Sequence, residues 1–451
     1  MNASLNPQRS TLNPQPSTLN PQLSTLLIRG GRLIDPLTGT DTSGDLFIRD
    51  GLIAPLSEAP HSCDRVIDAK GLIVCPGFID CRVGLGEPGF EEDETIATGT
   101  AAALAGGFTL VASLPDTDPV VETRAAAEFV RQQAERAGNC RVVPLGAVTK
   151  AREGKELAEM GGLIEGGAVA FTDGKQPIAN AEVMRRALEY ASMWQKVIMH
   201  FPQVPELVQG GVMHEGYSSS VLGLRGMPTA AEEIMVRRDI ALAELTGGRI
   251  HLMAVTSLHS VEEIRDARKR GVRVTADVTP HHLLLTDQAM ESYNANYKVD
   301  PPLRTQPHIA ALIEGLKDGT IETISADHTP VASEKKAREI DLVPFGISGL
   351  ETLLPLCVEA LITPGHLTWR ELIAKLTTGP SRLFGLESTK TLAPGTVADL
   401  TLIDPSATYR IDTSRFRSLG QNTPFHDRPA TGRVHSTIVG GVLKYAFTGV
   451  E

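Results

Sequence analysis

Arg249-Ile250-His251-Leu252-Met253-Ala254-Val255, then residues 260–270, then 272–279, form the stretch on which the fold turns. The outer pieces are short apolar runs of strand length. The middle piece, Ser260-Val261-Glu262-Glu263-Ile264-Arg265-Asp266-Ala267-Arg268-Lys269-Arg270, places apolar residues at three- and four-residue spacing, the signature of an amphipathic helix. Strand, helix and strand in that order make a crossover unit, which belongs to a parallel sheet. The same alternation recurs outward in both directions. Strands are predicted at 73–82, 109–113, 141–147, 168–173, 196–200, 249–255, 272–279 and 323–327, with helical stretches such as 122–136, 182–193 and 230–245 between them. Eight strands alternating with helices favour an α/β fold closed as a (β/α)8 TIM barrel over a doubly wound sheet, and place chemistry at the C-terminal ends of the strands.

The two ends of the chain read differently. Leu26-Leu27-Ile28-Arg29-Gly30-Gly31 and Asp45-Leu46-Phe47-Ile48-Arg49-Asp50-Gly51 are hairpin signals, matched by Ala398-Asp399-Leu400-Thr401-Leu402-Ile403-Asp404 and by the run 436–445. Residues 26–72 and 388–451 are therefore expected to pair into one composite β-sandwich domain around a barrel at 73–387. Residues 1–25 carry a repeated unit, Ser10-Thr11-Leu12-Asn13-Pro14-Gln15 and again Ser17-Thr18-Leu19-Asn20-Pro21-Gln22, whose prolines preclude helix and which develops no apolar face. It is expected to be a disordered low-complexity tail without the apolar core of a signal peptide, and translated repeat DNA ahead of the true start would account for it. Deleting residues 1–24 should leave the melting temperature unchanged; a large drop in a thermal melt would refute this.

The chain has 451 residues, 54 acidic and 43 basic, for a net charge of −11. Without a basic cluster, that balance argues against nucleic acid or an anionic membrane as a partner. No apolar run reaches the roughly 18 residues of a membrane-spanning helix. The five cysteines, Cys63, Cys75, Cys81, Cys140 and Cys357, include no Cys-x-x-Cys pair, and are read as buried thiols of a cytoplasmic protein.

The strand ends offer His200, the Asp327-His328 pair, Asp173 and the His281-His282 pair. Scattered histidines and carboxylates at a barrel mouth are raw material for a metal hydrolase, although each alone is more simply a hydrogen-bonded structural residue. The motifs around them say more. Cys75-Pro76-Gly77-Phe78-Ile79-Asp80, Leu114-Pro115-Asp116-Thr117-Asp118-Pro119, Phe171-Thr172-Asp173-Gly174, Val278-Thr279-Pro280-His281-His282, Pro301-Pro302-Leu303-Arg304, Ala326-Asp327-His328 and Pro344-Phe345-Gly346-Ile347-Ser348-Gly349 stand in one order along residues 26–446. Together they resemble the motifs of bacterial dihydroorotases of the amidohydrolase superfamily. The resemblance implies a barrel with a flanking β-domain, and the reversible closure of carbamoyl aspartate to dihydroorotate in pyrimidine synthesis.

The departures from that pattern are as informative. Where the family carries two zinc-binding histidines on its first strand, this chain has Arg82 and Gly84, and the family's strand-six histidine is matched by Ala254. One aspartate of the family's Asp-Asp-Gly motif is missing, which leaves His200, Asp173 and the general-base position Asp327 as vestigial metal positions. The substrate-gripping arginine is matched by Gly86, two asparagines by Asp116 and Asp300, and a histidine by Val331, so the substrate site reads as degraded. Zinc in a hydrolytic site needs about three or four protein ligands, and without it water keeps a pKa near 15.7 rather than about 7. On this reading no cofactor and no catalytic residue are expected, and Arg82 is a buried partner for Asp327.

The expected function is then that of a pseudoenzyme, a non-catalytic structural subunit in an oligomer with the aspartate carbamoyltransferase catalytic chain. Stretches at 206–215 and 226–245, outside the lost site, match the family and suit packing or assembly. The alternative is an active dihydroorotase, or a related cyclic amidohydrolase, working around His200, Asp173 and Asp327 with zinc or with no metal. A third reading, a ligand-sensing module, has no sequence feature of its own.

Overall fold

The computed structural model describes residues 25–386 and 391–449, so the repeat at 1–24 lies outside the described residues. The chain opens with an antiparallel hairpin, β1 (Thr25–Asp35) and β2 (Thr40–Arg49), continued by β3 (Leu52–Ala54). Asp50 and Gly51, both left-handed at φ 55° and 79°, make the two-residue turn that matches strand twist. β4 (Arg65–Asp68) and β5 (Ile73–Pro76) then lie parallel to β1.

The predicted strand at 73–82 is in fact two. It breaks at Gly77, where a Cβ would stand 2.1 Å from Thr109 Cγ2, so only a glycine lets the chain cross so close to the next strand. Before the break β5 belongs to the flanking sheet, and after it β6 (Phe78–Val83) opens the barrel. β7 (Phe108–Ser113), β8 (Arg141–Pro144), a single bridging residue Phe171, and β9 (Val197–His200) follow. A small parallel pair, β10 (Met213–His214) and β11 (Gly226–Met227), sits in the loop after β9. β12 (Arg249–Leu252), β13 (Val274–Val278) and β14 (Thr323–Ile324) complete the ring, and a parallel bridge between Val83 and His328 closes it. All eight predicted barrel segments thus take part, the fourth through Phe171 alone, between Gly146 and Ile198.

The helices stand near their predicted places: Arg124–Ala137, Ala181–Ser192, Ala230–Thr246 and Leu258–Lys269. Asn180 caps the second of these by accepting from the Glu182 and Val183 amides. The barrel interior is filled by Ile79, Cys81, Leu110, Leu145, Val169, Met199 and Met253, so it is packed rather than open. The last strands, β15 (Leu400–Arg410), β16 (Pro429–Val439) and β17 (Val442–Ala446), join the N-terminal ones in one sheet of order β17-β16-β15-β5-β1-β2-β3, with β4 beside β1. β5 is its seam, parallel to β1 on one side and antiparallel to β15 on the other.

All five cysteines are free, and four are buried; Cys63, expected to be buried, is half-exposed in a loop. Among the described residues, no helix is long and apolar enough to cross a membrane.

Candidate active site at the barrel mouth

At the C-terminal end of β6 the Arg82 side chain reaches across the mouth to two carboxylates. Its Nη2 and Nε donate to Asp277 at 2.8 and 3.2 Å, and its Nη1 donates to Asp327. The expected Arg82–Asp327 contact is therefore only half of the arrangement, because the fork is spent mainly on Asp277. That residue is an acid inside the apolar run of β13, and this was its one signal in the sequence. Asp277 also accepts from His251 Nε2 at 3.0 Å and from the Ala254 amide at 3.0 Å. Arg82, Asp277 and Asp327 are buried, at 2%, 0% and 2% side-chain exposure.

Asp327 follows β14 in a left-handed conformation, φ 51°. Asp80 holds that turn, taking the Ala326 amide at 2.7 Å and the Ser325 hydroxyl at 2.6 Å. The second oxygen of Asp327 accepts from Lys175 Nζ at 3.1 Å. Burial pushes the Asp327 carboxyl up, but Arg82 and Lys175 outweigh it and hold the group at about 2. Burial works against Asp277 too, and Arg82 and His251 keep it below the carboxylate range. Two cations and two carboxylates thus close a neutral cluster, in which a lone charge would be costly.

Lys175 was not foreseen, and its position follows from the shortened motif. Asp173 is anchored away from the mouth: it accepts from the Val148 and Thr149 amides at 2.8 and 3.0 Å and from the Thr149 hydroxyl. Gly174, at φ 62°, then turns the chain and the next side chain enters the mouth. Burial pushes the carboxyls of Asp173, Asp116 and Asp300 upward; Asp300 accepts from Gln203 Nε2 at 2.9 Å. His282 is occupied, with Nδ1 2.6 Å from the Thr279 hydroxyl and Nε2 2.9 Å from the Pro301 carbonyl. His281 is different. Its Nε2 is buried without a hydrogen-bond partner, and burial, with His282 beside it, keeps the ring neutral.

The zinc implied by the family pattern can be tested against these donors. His200 has both ring nitrogens engaged: Nε2 accepts the Ile178 amide at 2.9 Å, and Nδ1 lies 2.6 Å from Asp239. Asp173 is spent on the 148–149 loop, and Ala254 and Gly84 offer no side-chain donor. A Cβ at Gly84 would stand 3.1 Å from the His328 carbonyl oxygen. Cys81, His251 and Asp277 do bring ligand atoms within 4.8 Å of one another, but Asp277 already carries the Arg82 cation. A guanidinium cannot be deprotonated to make room, so the residues present do not fit the metal.

Gly86 cannot regain the arginine of the family pattern. It is left-handed at φ 64°, and a Cβ there would meet the Glu94 carbonyl oxygen at 2.4 Å. Gly86→Arg is expected to cost about 1–3 kcal/mol from the conformation alone, read as a lower melting temperature. A variant melting with the wild type would show that the 86–94 turn yields. Val331, also singled out, is buried, with its amide donating to Asn422 Oδ1 at 2.9 Å, so it lines the wall.

The family model described as Dihydro-orotase-like matches residues 71–260. A dihydroorotase of Pelotomaculum thermopropionicum is 48% identical over 417 residues, covering 92% of this chain and 97% of that protein. One from Syntrophus aciditrophicus is 44% identical over 423 residues, 93% and 99% of the two chains. Among solved structures, L-hydantoinase (dihydropyrimidinase) from Arthrobacter aurescens superposes with a TM-score of 0.83 at 25% identity, covering 93% and 96%. D-hydantoinase from Thermus sp., at 24% identity and a TM-score of 0.78, shares the fold. These likenesses overturn the expectation of a pseudoenzyme serving as a structural subunit. Relatives 43–48% identical over nearly their whole length carry the name of the enzyme.

Proposed function

Because the chain belongs to the dihydroorotase family, we propose that it is an active cyclic amidohydrolase that interconverts dihydroorotate and carbamoyl aspartate at its barrel mouth. The observation that carries this reading is the 48% identity to a dihydroorotase across 97% of that enzyme's length. The mouth supports it with a carboxylate, Asp327, at the end of the last barrel strand, where (β/α)8 enzymes place their chemistry.

Opening a cyclic amide needs three things: a base to take a proton from water, positive charge where the carbonyl oxygen becomes negative, and a proton for the leaving nitrogen. Asp327 is ionised and can accept the water proton, then return it to the nitrogen as the ring bond breaks. Lys175 stands beside it, and its side chain is 22% exposed, so solvent and ligand reach it. The fixed Arg82 cation holds the Asp327 carboxylate in place.

The test is turnover of dihydroorotate by the purified full chain, followed in both directions by the change in ultraviolet absorbance. Ring opening and ring closure above the uncatalysed rate are expected. Their absence in a folded, soluble protein at millimolar substrate would overturn the reading.

A further inference from the structure

The barrel mouth holds two positive side chains where the family pattern calls for metal ions, and they differ in one respect. Arg82 is locked, at 2% exposure, into Asp277 and Asp327. Lys175 makes a single hydrogen bond among the described residues, to Asp327, and remains partly open to solvent. An ammonium has three donors, so two of its own are unspent.

We propose that Lys175 is the electrophilic residue of this mouth: it rests on Asp327 in the free protein and moves onto the carbonyl oxygen of a bound cyclic amide. Arg82 acts as the fixed second cation, and the pair does without metal what the family's metal site would supply. This inference rests on the reading of the chain as a cyclic amidohydrolase and names the group that makes the reaction possible here.

Three observations converge on it. The donors that remain do not make a metal site, because His200, Asp173 and Asp277 are each committed to other partners. Lys175 is delivered to the mouth by the backbone, since Asp173 is pinned and Gly174 turns the chain immediately before it. Finally, the buried His281 Nε2 has no partner, yet its ring is within electrostatic reach of Asp327, Lys175 and Arg82. A buried polar atom left unpaired costs about 1–3 kcal/mol. It marks a place where a ligand's polar group completes the site.

The step balances without any further reactant. Water adds to the carbonyl carbon and gives one proton to Asp327, while Lys175 stabilises the negative oxygen. The carbon–nitrogen bond then breaks, the nitrogen takes the proton from Asp327, and the new carboxyl group ionises to solvent. The transfer of Lys175 also removes one of the two cations that make Asp327 a weak base. Binding therefore strengthens the base as it polarises the carbonyl.

The experiment joins elemental analysis of the full chain, equilibrated with zinc and then dialysed, to dihydroorotate turnover with and without a chelator. Lys175→Met and Lys175→Arg are measured alongside, each first checked for a wild-type melting curve. The expected result is substoichiometric metal, chelator-resistant turnover, a loss in kcat of about 10²- to 10³-fold in Lys175→Met, and part of that loss recovered in Lys175→Arg. Stoichiometric zinc with chelator-sensitive turnover would overturn the inference and leave the family reaction standing. Metal-free turnover that survives Lys175→Met would overturn it too. A folded wild type with no turnover removes both.

Discussion

Arg82→Met is expected to destabilise the protein by about 3–5 kcal/mol, the cost of leaving a buried charge without its partner. Arg82 is the only link between Asp277 and Asp327 among the described contacts, and both carboxylates are essentially without solvent. The native cluster balances, Arg82 and Lys175 against Asp277 and Asp327, and the single variant leaves one cation for two acids. The double variant Arg82→Met with Asp277→Asn restores the balance as Lys175 against Asp327. It should therefore be more stable than Arg82→Met alone, a coupling that a merely steric role for Arg82 would not produce. Denaturant unfolding of the wild type, both single variants and the double variant measures this. Additive losses would sink the ion-cluster account.

The same cluster has a pH signature. Asp327 is held at about 2 in the folded protein, against roughly 3.9 for an unperturbed aspartate. A carboxyl depressed in the folded state contributes stability that is fully present above the unfolded value and is lost as pH falls through the folded one. The gap between wild type and Arg82→Met should therefore narrow between about pH 4 and pH 2. A gap that stayed constant there would place the destabilisation in packing rather than charge.

Asp327→Asn is expected to lower kcat for dihydroorotate by about 10²- to 10⁴-fold, the usual contribution of a positioned general base. Asparagine keeps the shape but cannot take the water proton. The fold should survive, because Arg82 retains its fork on Asp277 and Lys175 is already partly solvated. Steady-state kinetics beside a thermal melt separates the two effects. A folded Asp327→Asn variant with wild-type kcat would remove Asp327 from the reaction.

The barrel was legible because crossover units carry two periods at once, and the run 249–279 shows both without help from the rest of the chain. What the break at Gly77 divides was not legible. Pro76-Gly77 marks a candidate break inside the run 73–82, but that the residues before it join the flanking sheet and those after it the barrel depends on how closely Thr109 approaches.

The site divides in the same way. Arg82, Gly84, Gly86, Ala254 and Asp327 could be read from their places in the motifs, because a missing imidazole is a fact of composition at a position. The chemistry of the mouth could not be read so. Asp277 lies 195 residues from Arg82 and Lys175 lies 152 from Asp327, so only the closed barrel brings these charges together. The identity of each side chain is local information and so was the pattern of strands and helices. Which charges share a low-dielectric cavity, and which donors are already spent, is decided by packing between distant segments.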